Sequence, residues 1–70
     1  MTDKRFLIYL GDRIKALRSG KKISQNELAA LCNIDKGNMS RIEAGKSNIT
    51  VLTLKKLSDA LDVDIAEFFK

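Results

Sequence analysis

Apolar residues recur along this chain with helical spacing almost from end to end. Phe6, Leu7, Leu10, Ile14 and Leu17 fall three or four apart, the single buried stripe of a helix over about 4–19. Gly20-Lys21-Lys22 ends that pattern. Each later segment begins with one repeated arrangement: an apolar residue, a capping residue, and a second apolar residue four positions inside the helix. It occurs at Ile23-Ser24 with Leu28, Ile34-Asp35 with Met39, Ile49-Thr50 with Leu54, and Val63-Asp64 with Phe68. That is the spacing of a hydrophobic staple around an N-cap. Glu27 completes a capping box with Ser24, and Glu67 a second one with Asp64. The starts predict further helices over about 25–32, 36–44, 51–61 and 65–69. No strand signal and no proline interrupts them. The expected fold is therefore all-α, a compact bundle of five helices. Its predicted core is Leu10, Ile14, Leu17, Leu28, Ala29, Cys32, Ile34, Met39, Ile42, Leu54, Leu57, Leu61, Ile65 and Phe68.

Helices two and three are separated by only a tight turn. Two helices that cross steeply need a small residue at the contact, and Ala29 supplies one. The turn needs a residue tolerant of positive φ, which suits Asn33; Gly45 stands where a left-handed cap would close the third helix. Met39 and Ile42 are three apart and face inward, which leaves Lys36, Gly37, Asn38, Arg41 and Ala44 outward. This is the geometry of a helix-turn-helix, which places its second helix in the DNA major groove. Arginine is suited to guanine and asparagine to adenine in that groove, while Lys36 at the helix start reaches bases or phosphates.

Charge changes the picture through its distribution. The chain carries +4 overall. Residues 13–56 hold ten Lys/Arg against three acids, and residues 57–70 hold four acids against Lys70 alone. A basic body with an acidic end suits a polyanion on one face, although solvated surface charge gives the same count. Seventy residues suffice for one domain over 1–70. One cysteine and no histidine exclude an internal disulfide and argue against a zinc site. No apolar run approaches the ~20 residues of a membrane span, and Phe6–Leu10 is too short for a signal sequence. These features point to an intracellular protein with no cofactor, no membrane partner and no small-molecule ligand.

At this point a family resemblance emerges. Leu10-Gly11, Ile14, Leu17-Arg18, Ile23-Ser24-Gln25, Glu27-Leu28-Ala29, Ile42-Glu43, Gly45-Lys46, Leu54, Leu57, Ala60-Leu61 and Val63 stand at the spacing of the Cro/C1-type (XRE family) helix-turn-helix of phage repressors and bacterial regulators. The resemblance covers residues 10–69. It implies a lambda-repressor-like bundle with the helix-turn-helix in helices two and three. It further implies base reading by Lys36, Gly37, Asn38 and Arg41. Ser24, Gln25, Lys46, Ser47 and Asn48 are then expected to position the DNA backbone. Arg18 and Glu43 match a buried ion pair tying the first helix to the reading helix. Asn33 departs from the usual glycine, Met39 from a β-branched residue and Ile49 from proline; all three are sterically tolerable. Gly37 has two readings, close backbone approach to DNA or a helix position where glycine costs little.

The remaining features have plainer readings. Cys32 belongs to an inner helix face and reads as core. Two of the four acids Asp59, Asp62, Asp64 and Glu67 serve as cap residues rather than cation ligands. Phe6-Leu7-Ile8-Tyr9 exceeds one buried stripe, and Phe68 and Phe69 cannot both point inward. Either group packs under the bundle or forms a dimer seam. The expected function is that of a DNA-binding transcriptional regulator, not an enzyme. It occupies a double-stranded operator as a homodimer in the cytoplasm of a bacterium or phage host, associated with the nucleoid. The alternative is an antitoxin-like or assembly module whose main partner is a protein; Gln25, Arg41 and the basic loop argue against it.

Overall fold

The computed structural model describes residues 2–70 and contains no strand among them. Four α-helices follow in order: α1 (Asp3–Gly20), α2 (Gln25–Leu31), α3 (Lys36–Glu43) and α4 (Val51–Leu61). The fifth element, Ile65–Phe69, is a 3-10 turn and not the α-helix that the sequence predicts. Five residues give an α-helix almost no internal hydrogen bonds. Here the Glu67 N–H closes onto the Asp64 carbonyl in the tighter spacing. The second capping box is also absent. The Asp64 side chain accepts from the Ala66 N–H, and the Glu67 carboxylate pairs with Lys70 at 2.7 Å.

The other starts follow from their caps. Thr2, Ser24 and Thr50 each accept from the N–H three residues on, and Asp35 accepts from both Gly37 and Asn38. The Ser24 box is complete in both directions, at 3.0 Å each way. The Ser24 backbone N–H, and then its hydroxyl contact, hold the Glu27 carboxyl below its usual range. All four staples close into the core: Leu28, Met39, Leu54 and Phe68 are buried, with Ile23, Ile34, Ile49 and Val63 packed beside them.

The helix ends share one device. Lys22, Asn33, Gly45 and Asp62 all have positive φ. Around each, the next residue's N–H reaches back across the turn: Ile23 to Arg18, Ile34 to Ala29, Lys46 to Arg41 and Val63 to Ser58. The left-handed residue's own N–H bonds the carbonyl three back. This is the Schellman closure. Ile23, Ile34 and Val63 therefore serve twice, closing one helix and stapling the next. At the end of α1 the left-handed position falls on Lys22, not on Gly20.

The core is formed by Leu10, Ile14, Leu28, Ala29, Cys32, Met39, Ile42, Leu54, Leu57, Leu61 and Phe68. Leu17, Ile34 and Ile65, expected inside, are only partly buried at its rim. The Cys32 thiol donates to the Lys56 carbonyl at 3.5 Å, and burial pushes its pKa up. No helix among the described residues is long and apolar enough to cross a membrane. The helix α1 lies against the C-terminal end of α3, and two glycines make the approach possible. A Cβ on Gly11 would sit 2.6 Å from the carbonyl oxygens of Ile42 and Glu43; one on Gly45 would sit 2.6 Å from the Ile8 Cα.

These distances predict opposite effects for two glycines of the same helix. Gly11→Ala should destabilise by at least ~1–3 kcal/mol, because its neighbours are backbone atoms that cannot yield cheaply. Gly20→Ala meets nothing within 4 Å and should stabilise by ~0.5–1 kcal/mol through helix propensity. Urea unfolding of the two variants measures both signs; equal effects would remove the close approach of α1 and α3.

Candidate nucleic-acid interface

Helix α3 turns Met39, Ile42 and Glu43 into the protein. Lys36, Gly37, Asn38, Ser40, Arg41 and Ala44 remain exposed. Spacing alone produces this division, since positions 39, 42 and 43 occupy one stripe of a helix and the rest look outward. Ser40 was not among the sequence-predicted site residues. It lies one turn after Lys36, so the i, i+4 rule was signal enough to find it.

The inner side of α3 is fixed by an ion pair. Arg18 Nε donates to Glu43 Oε2 at 2.7 Å, and Arg18 Nη2 donates to Glu43 Oε1 at 3.1 Å. The side chains are only 13% and 4% exposed. A third donor, Gln25 Nε2, reaches Glu43 Oε1 at 3.1 Å, and Arg18 Nη1 donates to the Ile23 carbonyl at 2.9 Å. The hydrogen bonds to Glu43, opposed by burial, raise the pKa of the Arg18 guanidinium. One carboxylate thus joins α1, the entry to α2 and the end of α3.

The remaining sequence-predicted residues surround this anchor. The Ser24 oxygen accepts from the Glu27 N–H, and the residue is exposed at the entry to α2. Asp35 Oδ2 takes the Gly37 and Asn38 N–H groups at 3.0 and 3.3 Å. A Cβ on Gly37 would press within 3.1 Å of that carboxylate, which adds a capping reason for glycine at this outward position. Lys46 is bound to the reading helix through its backbone, donating to the Arg41 carbonyl at 2.8 Å. Ser47 Oγ lies 3.5 Å from Asn38 Oδ1, a long contact that brings the loop beside the helix. Asn48 is exposed. The described residues hold three ion pairs, and Lys36, Arg41 and Lys46 take part in none of them. Their charge is free for an external anion.

The geometry meets its counterpart in known proteins. The helix-turn-helix family matches residues 14–68, which is most of the chain. The chain belongs to the helix-turn-helix family. Its members of the Cro/C1 (XRE) type are DNA-binding transcriptional regulators. The chain is 36% identical over 63 residues to the control protein C.MunI of Mycoplasma sp, covering 89% of this chain and 85% of that protein. It is 37% identical over 54 residues to the HTH-type transcriptional repressor RghR of Bacillus subtilis (strain 168), covering 76% of this chain and 40% of that longer protein. Its structure is similar to that of the restriction-modification controller protein C.AhdI from Aeromonas hydrophila, with a TM-score of 0.87 and 35% identity over 90% of this chain and 96% of that one.

The ion pair generates a sharp expectation. Arg18→Met strands the buried Glu43 carboxylate and should cost ~3–5 kcal/mol, whereas Arg18→Met with Glu43→Met should cost far less. Thermal unfolding of the two variants tests this. A single variant that melts like the wild type would show the pair to be exposed in solution.

Proposed function

We propose how this DNA-binding transcriptional regulator divides its work. Helix α3 lies in a major groove. Lys36, Asn38 and Arg41 read base edges there, and the small Gly37 allows the backbone to come close. Ser24, Gln25, Lys46, Ser47 and Asn48 hold phosphates on either side. The observation that carries this reading is the two-sidedness of α3: its inner stripe is fixed by Glu43 and its outer stripe presents cations without partners. Because Asp35 already uses the first N–H groups of α3, anion binding there falls to side chains rather than to the helix terminus. Phosphate contacts supply most of the affinity, and base contacts supply the choice of sequence.

The reading as a module whose main partner is a protein is not favoured, since the relatives are named as controllers and transcriptional repressors. The match over most of the length of two control proteins supports a compact regulator of that kind. The described residues measure 30 Å along their longest axis, short of the ~34 Å between half-sites on one DNA face. Two copies are then needed to read both half-sites. We assign the contact between them to an apolar patch at the chain ends. Phe6 stacks on Phe69 with ring centroids 6.3 Å apart, and the two rings stay 41% and 47% exposed. The two sequence candidates for a dimer seam are thereby one surface.

The assignment of roles is tested by salt-dependent binding to a duplex selected from a random pool and to a random-sequence duplex. Lys46→Ala should weaken both alike and lower the salt slope by about one unit. Arg41→Ala should cost ~1–3 kcal/mol on the selected duplex and much less on the random one. Equal losses for Arg41→Ala would make it a phosphate contact and remove the reading face. For the dimer, Phe69→Ser and Phe6→Ser should each shift sedimentation towards the monomer, and unchanged dimers in both would exclude this patch.

A further inference from the structure

Glu43 does more than close an ion pair. Paired with a guanidinium and buried, it is a carboxylate, and a carboxylate only accepts hydrogen bonds. The amide of Gln25 must therefore turn its nitrogen towards Glu43, at 3.1 Å. The orientation of an amide is often a choice between two fits, but here the partner's chemistry decides it. The nitrogen carries two protons, and Glu43 takes one of them. The second proton and the Gln25 carbonyl oxygen are left facing away, at the first residue of α2, where the side chain is only half-buried. Arg18 reinforces the arrangement through the Ile23 carbonyl, which fixes the chain just before α2 begins.

We propose that Glu43, held by Arg18, is a positioning residue for DNA binding: it orients the Gln25 amide so that its remaining N–H stands ready for a phosphate oxygen. A free glutamine is rich in rotamers and has to be ordered when it binds. Gln25 is ordered beforehand by a residue that faces the interior, and α1 thereby contributes to affinity through a side chain away from the DNA. The proposal rests on the DNA-facing reading given above.

A double-mutant cycle separates positioning from simple contact. Gln25→Met in the wild-type chain should weaken binding about two- to ten-fold, the worth of one hydrogen bond, on selected and random duplexes alike. Arg18→Met with Glu43→Met should lose the same factor, and adding Gln25→Met to that pair should lose nothing more. An equal loss from Gln25→Met in both backgrounds would overturn the positioning role, and so would no loss in the wild type. Arg41→Ala in the same titrations keeps the two readings apart. If it discriminates between the duplexes while Gln25→Met is silent, the interface stands and the positioning fails; if neither variant changes binding, the interface itself fails. A readout without variants covers the case in which the Arg18/Glu43 double variant does not fold. Of the two Gln25 side-chain NH2 protons of the wild type, the one given to Glu43 should be displaced from its free-amide NMR position and protected from exchange while the other exchanges freely, and both signals at free-amide positions would overturn the proposal.

Discussion

A buried carboxylate constrains everything around it. Glu43 sits almost out of water, where an unpaired charge would cost several kcal/mol. It is tolerated because Arg18 meets it with two N–H groups and Gln25 with a third. Those donors come from α1 and α2, and the acceptor from α3. None of the three helices can shift against the others without stranding the charge. Gly11 makes the arrangement sterically possible by letting α1 approach the last carbonyls of α3. The orientation of the reading helix is thus set from behind, which leaves the charged side chains of its outer face, Lys36 and Arg41, out of the ion pairs that hold the fold.

The same economy governs the connections. After α1, α2 and α4 the chain uses a left-handed residue, a β-branched residue and an N-cap in succession: Lys22-Ile23-Ser24, Asn33-Ile34-Asp35 and Asp62-Val63-Asp64. The middle residue closes one helix and staples the next. The staples were legible in the sequence because they depend on spacing within a few residues. Asn33 and Gly45 were legible as left-handed because their side chains suit that region. Lys22 was not, since lysine has no preference for it and its conformation goes with the closure by Ile23; Asp62 was missed although aspartate, like asparagine, tolerates that region. The 3-10 turn escaped for a related reason. The Arg13 guanidinium holds the Glu67 carbonyl at 2.8 Å, and the Tyr9 hydroxyl donates to the Lys70 carbonyl, contacts between residues far apart in the chain.

Of the candidate site, periodicity gave the outward face of α3, since burying Met39 and Ile42 leaves little freedom to the rest. Periodicity could not show that Asp35 consumes the first N–H groups of α3, that Gln25 belongs to the ion-pair network, or that Phe6 and Phe69 form one stacked surface. Each depends on tertiary placement. Together they give α1 a double role. This 18-residue helix grips the reading helix through Arg18 and Gly11, and the C-terminal turn through Tyr9 and Arg13. One rigid rod therefore links the apolar patch to the interface, so that joining two copies at the patch would fix the separation of their reading helices.

The central claim is that DNA meets the face of α3 that Glu43 leaves free. Titration of the isotopically labelled chain with the selected duplex, followed through backbone amide shifts, tests it most directly. The account predicts the largest changes at residues 24–26, 36–41 and 46–48. Changes concentrated in α4 and residues 65–69, with α3 silent, would contradict it.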